Sequence, residues 1–157
     1  MDRTIKQEDF RNNLFSLLEE TFGPKHHGIF LDRGTSLFET LATISAREAS
    51  IPVGGRCASL AAQVAHVTFY LEVLERSIVY SDNTPADWGE VWRTIEKVTS
   101  EEWEQLKSTL KDTYSRIEKM FRDNEVWNDN AIGDSLAIVV HTAYHLGEIR
   151  QALCTLK

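Results

Sequence analysis

The chain reads as an all-α protein, a four-helix bundle with an extra short helix. Three observations predict this. Several long stretches repeat apolar residues at three- and four-residue steps, the spacing of one helical face. No stretch alternates apolar and polar residues long enough to form a half-buried strand. Only three prolines interrupt 157 residues. With 42% hydrophobic and 26% charged residues, residues 1–157 fit one domain able to bury one core.

The first helix is predicted over about Ile5 to Phe22, where Phe10, Leu14, Leu17, Leu18 and Phe22 share a face. Gly23 and Pro24 stop it, glycine tolerating a left-handed cap and proline being unable to continue. A loop, Lys25 to Gly34, leads to a short helix announced by Ser36 and Glu39 in capping-box spacing. Pro52, Gly54 and Gly55 mark a second loop.

A long helix over about Cys57 to Val79 carries two apolar stripes. One is Leu60, Val64, Val67, Leu71, Leu74 and Ile78; the other is Ala62, His66, Phe69 and Val73. Such a helix is packed between neighbours, and His66 points into protein. Tyr80 to Val98 reads as irregular, with a turn at Asn83, Thr84 and Pro85 and a helical turn around Trp88 and Trp92. The third long helix, about Ser100 to Asn124, opens on a Thr99 and Glu102 capping box and has one stripe of Trp103, Leu106, Leu110, Ile117 and Met120. The last helix, about Ala131 to Leu156, is apolar almost all round. Its outer face is covered either by an oligomer partner or by the short helix. The connections before the second and third long helices are long enough for crossovers.

A net charge of -7 leaves no basic stripe to neutralise phosphates, so no nucleic-acid partner is expected. No apolar run approaches the roughly 20 residues of a bilayer span, and Met1 to Glu8 lacks the apolar core of a secretory signal. A cytoplasmic protein without membrane association is the expectation. Cys57 and Cys154 match no zinc or redox spacing and read as free, packed thiols.

The chemistry concentrates in the last helix. His141 and His145 stand four residues apart, which leaves their rings about 40° apart and one turn along. Both imidazoles can then reach one ion. The pair alone is equally compatible with two core histidines bonded to backbone or carboxylates, and imidazole suits zinc, nickel, copper and iron alike. Asp134 and Glu148 share the face, placed to orient a histidine or move a proton, while a rim position serves Asp134 as well. Tyr70 and Tyr144 line a pocket or pack in the core. His26 and His27, adjacent in a loop, read as surface residues.

The segment His141-Thr-Ala-Tyr-His145-Leu-Gly147-Glu148-Ile149 resembles the final-helix signature of the DinB (damage-inducible) and YfiT-like superfamily. There, His-x-x-x-His is followed by a basic or apolar residue, then Gly, then Gln or Glu. Leu60 to Tyr70, a lone His66 followed by an aromatic, is similar to that family's second-helix signature. Ala86 to Trp92 with Glu102 and Trp103 is similar to its tryptophan-rich lead into the third helix. The resemblance runs from about Phe10 to the end.

It implies an up-down-down-up bundle, often a homodimer, with a divalent metal, commonly zinc or nickel, held by His66, His141 and His145. Three neutral imidazoles leave a tetrahedral ion one open position for water or a thiol. The implied activity is that of a metal-dependent thiol (S-)transferase or hydrolase acting on a small molecule, some relatives using a low-molecular-weight thiol as cosubstrate. The alternative is a non-catalytic, dimerising stress-response or binding bundle with structural histidines. Two positions depart from the family: Leu146 stands where many members have arginine, and Glu148 where glutamine is commoner. Ordinary histidine chemistry predicts that metal affinity falls as pH drops through about 6.5.

Overall fold

Helix α1 spans Gln7–Phe22 in the computed structural model, which describes residues 4–55, 57–82 and 84–156. Asn83 of the expected turn and the first three residues of the charged N-terminal stretch lie outside the described residues. Ile5 is 84% exposed and stays outside α1, whereas Leu14, Leu18 and Phe22 are buried. The helix ends where Gly23 and Pro24 predict, but Gly23 is extended (φ -105°) rather than left-handed, its N–H donating to the Glu19 carbonyl at 3.0 Å.

Two short helices follow, not one. Helix α2 (Leu37–Ala42) begins at the Ser36 and Glu39 capping box, and α3 (Ala46–Ala49) at a second box, Ser45 with Glu48. A 3₁₀ turn, Val53–Gly55, precedes the long helix α4 (Leu60–Tyr80). Helix α4 starts at Leu60 rather than Cys57 because Ser59 Oγ accepts from the Ala62 N–H and caps it. It ends at Ser81, in the left-handed region at φ 52°. Helix α5 (Glu90–Thr94) replaces the expected turn around Trp92, with Trp88 just ahead of it. Helix α6 (Ser100–Asp123) carries the Thr99 and Glu102 capping box. Helix α7 (Asp129–Leu156) begins two residues early, because Asn128 Oδ1 accepts from the Ala131 N–H. All of these elements are helical, and no strand occurs among the described residues.

Helix α4 packs against both α6 and α7, and α1 packs against α7. One apolar core runs between them, from Leu18 and Phe22 through Leu60, Val64 and Leu71 to Leu110, Ile117, Ile138 and Ile149. Trp103 is fully buried and donates its indole N–H to the Ile44 carbonyl at 2.8 Å, tying the α2–α3 segment to α6. The short helices therefore lie over α1, α4 and α6. They do not cover the outer face of α7, where Leu136, Val140 and Tyr144 remain exposed. Both cysteines are free, and both are exposed rather than packed. Among the described residues, no single helix is long and apolar enough to cross a membrane.

Glu20 is a charged group inside this core, 1% exposed. Its carboxylate accepts from the backbone N–H groups of His27, Ile29, Phe30 and Leu31 at 2.7–3.0 Å, folding the loop after α1 back onto the helix. Burial alone would raise its pKa; the four amide donors outweigh that and bring it down to about 2. The depressed value means the stabilisation is present above the ordinary carboxylate range and is lost as pH falls towards 2. Glu20→Ala should lower the unfolding free energy by roughly 2–4 kcal/mol at neutral pH, read by urea titration. The gap should narrow below pH 4.5, and a difference constant with pH would contradict this account of Glu20.

Candidate metal centre

Burial of one side of α4 against α7 turns His66 inward, 8% exposed, towards the face of α7 that bears His141 and His145. His145 is 6% exposed and His141 half-buried. The three ring centroids lie 4.5–5.0 Å apart. One ring nitrogen from each histidine falls within 4.8 Å of the other two, so the cluster has the donors and the spacing to hold a metal ion.

The nitrogen geometry fits a shared cation. His66 Nε2 and His141 Nε2 are 3.1 Å apart. Two ligand nitrogens on a tetrahedral zinc ion stand about 3.3–3.4 Å apart, given bonds of about 2.0–2.1 Å. Two imidazole nitrogens this close share either one proton or one cation, because two bare lone pairs repel. The outer nitrogens of both rings, His66 Nδ1 and His141 Nδ1, are buried without a hydrogen-bond partner among the described residues. His145 is held differently. Its Nδ1–H donates to Glu148 Oε2 at 2.9 Å and to Gln63 Oε1 at 3.3 Å. That tautomer leaves the Nε2 lone pair for an ion, the arrangement in which a carboxylate orients a metal-binding histidine.

All three rings are held below the ordinary histidine range. For His141, burial and then the proximity of His145 and His66 bring the pKa to about 3. For His66 the causes are the same in kind, burial first and the neighbouring His145 second. For His145, burial outweighs the opposing pull of Glu148. The cluster is therefore neutral at physiological pH, the state that binds metal. Proton competition for the folded site consequently begins below the pH of about 6.5 that ordinary histidine chemistry predicts.

Aromatic rings fix the histidines in place. Tyr70 stacks on His141 with centroids 3.6 Å apart and planes within 8°, and Trp92 lies 4.4 Å from His66. Tyr144 meets His145 edge-on at 5.1 Å. Trp92 comes from α5, in the connection that leads to α6, so this irregular segment forms a wall of the site. A cavity of about 310 Å³ opens beside His145, lined by Cys57, Ala58, Gln63, Trp92, Tyr144, His145 and Glu148.

The structure thus brings His66, His141, His145 and Glu148 together. It does not bring Asp134 to the cluster. That carboxylate lies two turns before His141, accepts from Ser77 Oγ at 3.4 Å, and has its pKa raised by burial. Its charge is felt at Tyr70, whose hydroxyl is pushed up by burial and then by Asp134. Leu146 is 1% exposed, in the core rather than at the cavity. His27 Nε2 pairs with Glu19 at 2.8 Å on the surface. Gln63, Trp92 and Cys57 are the residues that sequence reasoning missed. Gln63 stands three residues before His66, the spacing that shares a helical face, which was the available signal.

Compared with models of known protein families, with curated proteins and with solved structures, the chain gives no match.

The depressed histidines set the acid response of the metal-free protein. An unfolded chain takes up these protons near pH 6.5 while the folded one resists, so stability should fall as pH drops from about 6.5 towards 3. The melting temperature of metal-free protein should decline across that window, and less steeply in His141→Phe. Identical slopes in the two proteins would show that His141 is not held neutral by its surroundings.

Proposed function

We propose that this chain is a divalent-metal-dependent enzyme of the DinB-like kind, built on a four-helix bundle of α1, α4, α6 and α7 and acting on a small molecule as a thiol transferase or hydrolase. The observation that carries the reading is the convergence of three neutral imidazoles from two helices, with a carboxylate behind one of them. A cation held by three imidazoles keeps one position for a water or a thiol and lowers the pKa of whichever occupies it.

The chain's own residues supply the rest. His66, His141 and His145 present lone pairs because burial keeps them unprotonated. Glu148 and Gln63 fix the tautomer of His145. Glu148 also lines the cavity with Tyr144 and pushes that hydroxyl's pKa up, so one carboxylate adjoins both a ligand and a cavity wall. The cavity beside His145 sets an apolar ring, Trp92, against the polar groups of Gln63 and Glu148. That lining suits a small molecule with one flat or apolar part and one polar end. Zinc and nickel both fit an all-imidazole donor set.

The rival reading, a non-catalytic dimerising bundle, draws on the exposed apolar residues of α7 and treats the histidines as structural. Metal content separates the two. Protein purified without a histidine tag should carry close to one zinc or nickel ion per chain by elemental analysis, and His141→Ala should lose it. Substoichiometric metal that His141→Ala leaves unchanged would favour the rival. Glu148→Ala should keep the fold by circular dichroism while weakening metal affinity about 10–100-fold, as loss of a ligand-orienting carboxylate does. Undiminished affinity would remove Glu148 from the centre.

A further inference from the structure

Three cavities follow one another beside the histidines. The one next to His145, about 310 Å³, shares Gln63, Tyr144 and Glu148 with a second of about 520 Å³ along the end of α7. On its other side it shares Ala58 and Trp92 with a third of about 320 Å³ at the start of α4. Cys57 lines all three, and the two outer cavities have no other wall residue in common. The His145 cavity is therefore the middle of a continuous row. A ligand that fills the row is elongated, with its centre beside the histidine cluster.

Each part of the row selects a chemistry. Most of the surface that the α7 cavity offers is carbon, with Val53, Gly147 and Ala152 among its walls. A Cβ added at Gly147 meets nothing within 4 Å, so the space there is open to the helix backbone. That end suits an aliphatic chain.

In the middle cavity Gln63 is only 8% exposed. Its Oε1 accepts from His145 Nδ1–H, which sets the orientation of its amide. Among the described residues, the Nε2 hydrogens then find no acceptor within the chain. A buried amide donor left open at a cavity wall calls for a ligand oxygen, and a carbonyl supplies one.

The third cavity is charged. Lys97 and Glu96 line it, and among the described residues neither forms an ion pair within the chain. Ser59 and Ala62 place it at the first turn of α4, where the helix dipole favours an anion. Glu96 opposes a doubly charged group such as a phosphate, so a single carboxylate fits this end best.

We infer that the site takes an N-acyl amino acid, with its acyl chain along α7, its carbonyl oxygen on Gln63 and its carboxylate at Lys97. The amide bond then lies beside His145, and the reaction is its hydrolysis. A water oxygen bonds to the acyl carbon, the C–N bond breaks, and the nitrogen leaves with a proton from that water. The products are a carboxylic acid and an amino acid. The binding assignment stands on the cavities, whereas the reaction rests on the metal-centre reading above.

N-octanoylglycine is the probe, titrated by calorimetry into protein incubated with zinc. One site per chain is expected. Gly147→Phe fills the apolar cavity; it should fold normally by circular dichroism and weaken binding at least about tenfold. Lys97→Gln should weaken it about three- to fivefold at low salt. Undecanoate, equal in length but without the amide, should bind less tightly than octanoylglycine. In a Cys154→Ser background, octanoylglycine should slow the alkylation of Cys57 by iodoacetamide, because Cys57 lines every part of the row. No binding, affinity indifferent to Gly147→Phe, undecanoate binding as tightly, or an unprotected Cys57 would overturn the proposal. Release of octanoate and glycine is read on the same samples, with metal content. Binding and protection without hydrolysis, at one zinc ion per chain, would overturn the hydrolase assignment. Binding and protection in protein that holds no zinc would count against the metal centre and leave the acyl amino acid site standing.

Discussion

Three imidazole rings facing one another in a buried pocket cannot all be charged, and this constraint organises the region around them. The packing of α4 on α7 takes His66 and His145 out of water, and each ring then discourages its neighbours from gaining a proton. Neutral imidazoles have lone pairs to place, and at His66 and His141 these converge to 3.1 Å. Something positive has to sit between them, a proton in the metal-free chain or a cation in the loaded one. The surrounding features follow from holding that arrangement: Tyr70 lies flat on His141, Trp92 over His66, and Glu148 behind His145.

The scaffold keeps these contacts by binding its irregular segments at few points. Trp103 reaches from α6 to the Ile44 carbonyl and anchors the short helices. Glu20 gathers four backbone donors and anchors the loop after α1. Among its described residues, the segment between α4 and α6 is tied to Ser50 through both backbone groups of Val98 but buries no group as Trp103 and Glu20 are buried. Trp88 and Trp92 attach it instead to Phe69, Tyr70 and His66, so the connection and the histidine site are positioned by the same contacts. A change in the site would therefore be felt in that wall first.

Much of this was legible in the residues. The long helices follow their apolar stripes, and the capping boxes at Ser36 and Thr99 fall where their spacing places them. A third box, Ser45 with Glu48, carried the signal for α3 and was overlooked beside the stronger one before it. Helix starts moved by two or three residues because Ser59 and Asn128 cap the chain locally, which periodicity does not see. The histidine face of α7 was readable from i, i+4 spacing. That His66 would join it came from the resemblance alone, since spacing within one helix says nothing about which face of another it will meet. Asp134 failed to reach the cluster for a related reason: a seven-residue step keeps the helical face but moves two turns along the axis. The cysteines were misplaced because an isolated apolar residue at a helix boundary, or near the end of a helix, carries no periodic signal of burial.

X-ray absorption at the metal edge of zinc- or nickel-loaded protein tests the shared-cation claim most directly. The spectrum should show the multiple scattering of three imidazoles at metal–nitrogen distances of about 2.0–2.1 Å for zinc, with one further light-atom or sulfur neighbour. A first shell of carboxylate oxygens, or of fewer than two imidazoles, would mean that the convergence of His66, His141 and His145 serves packing alone.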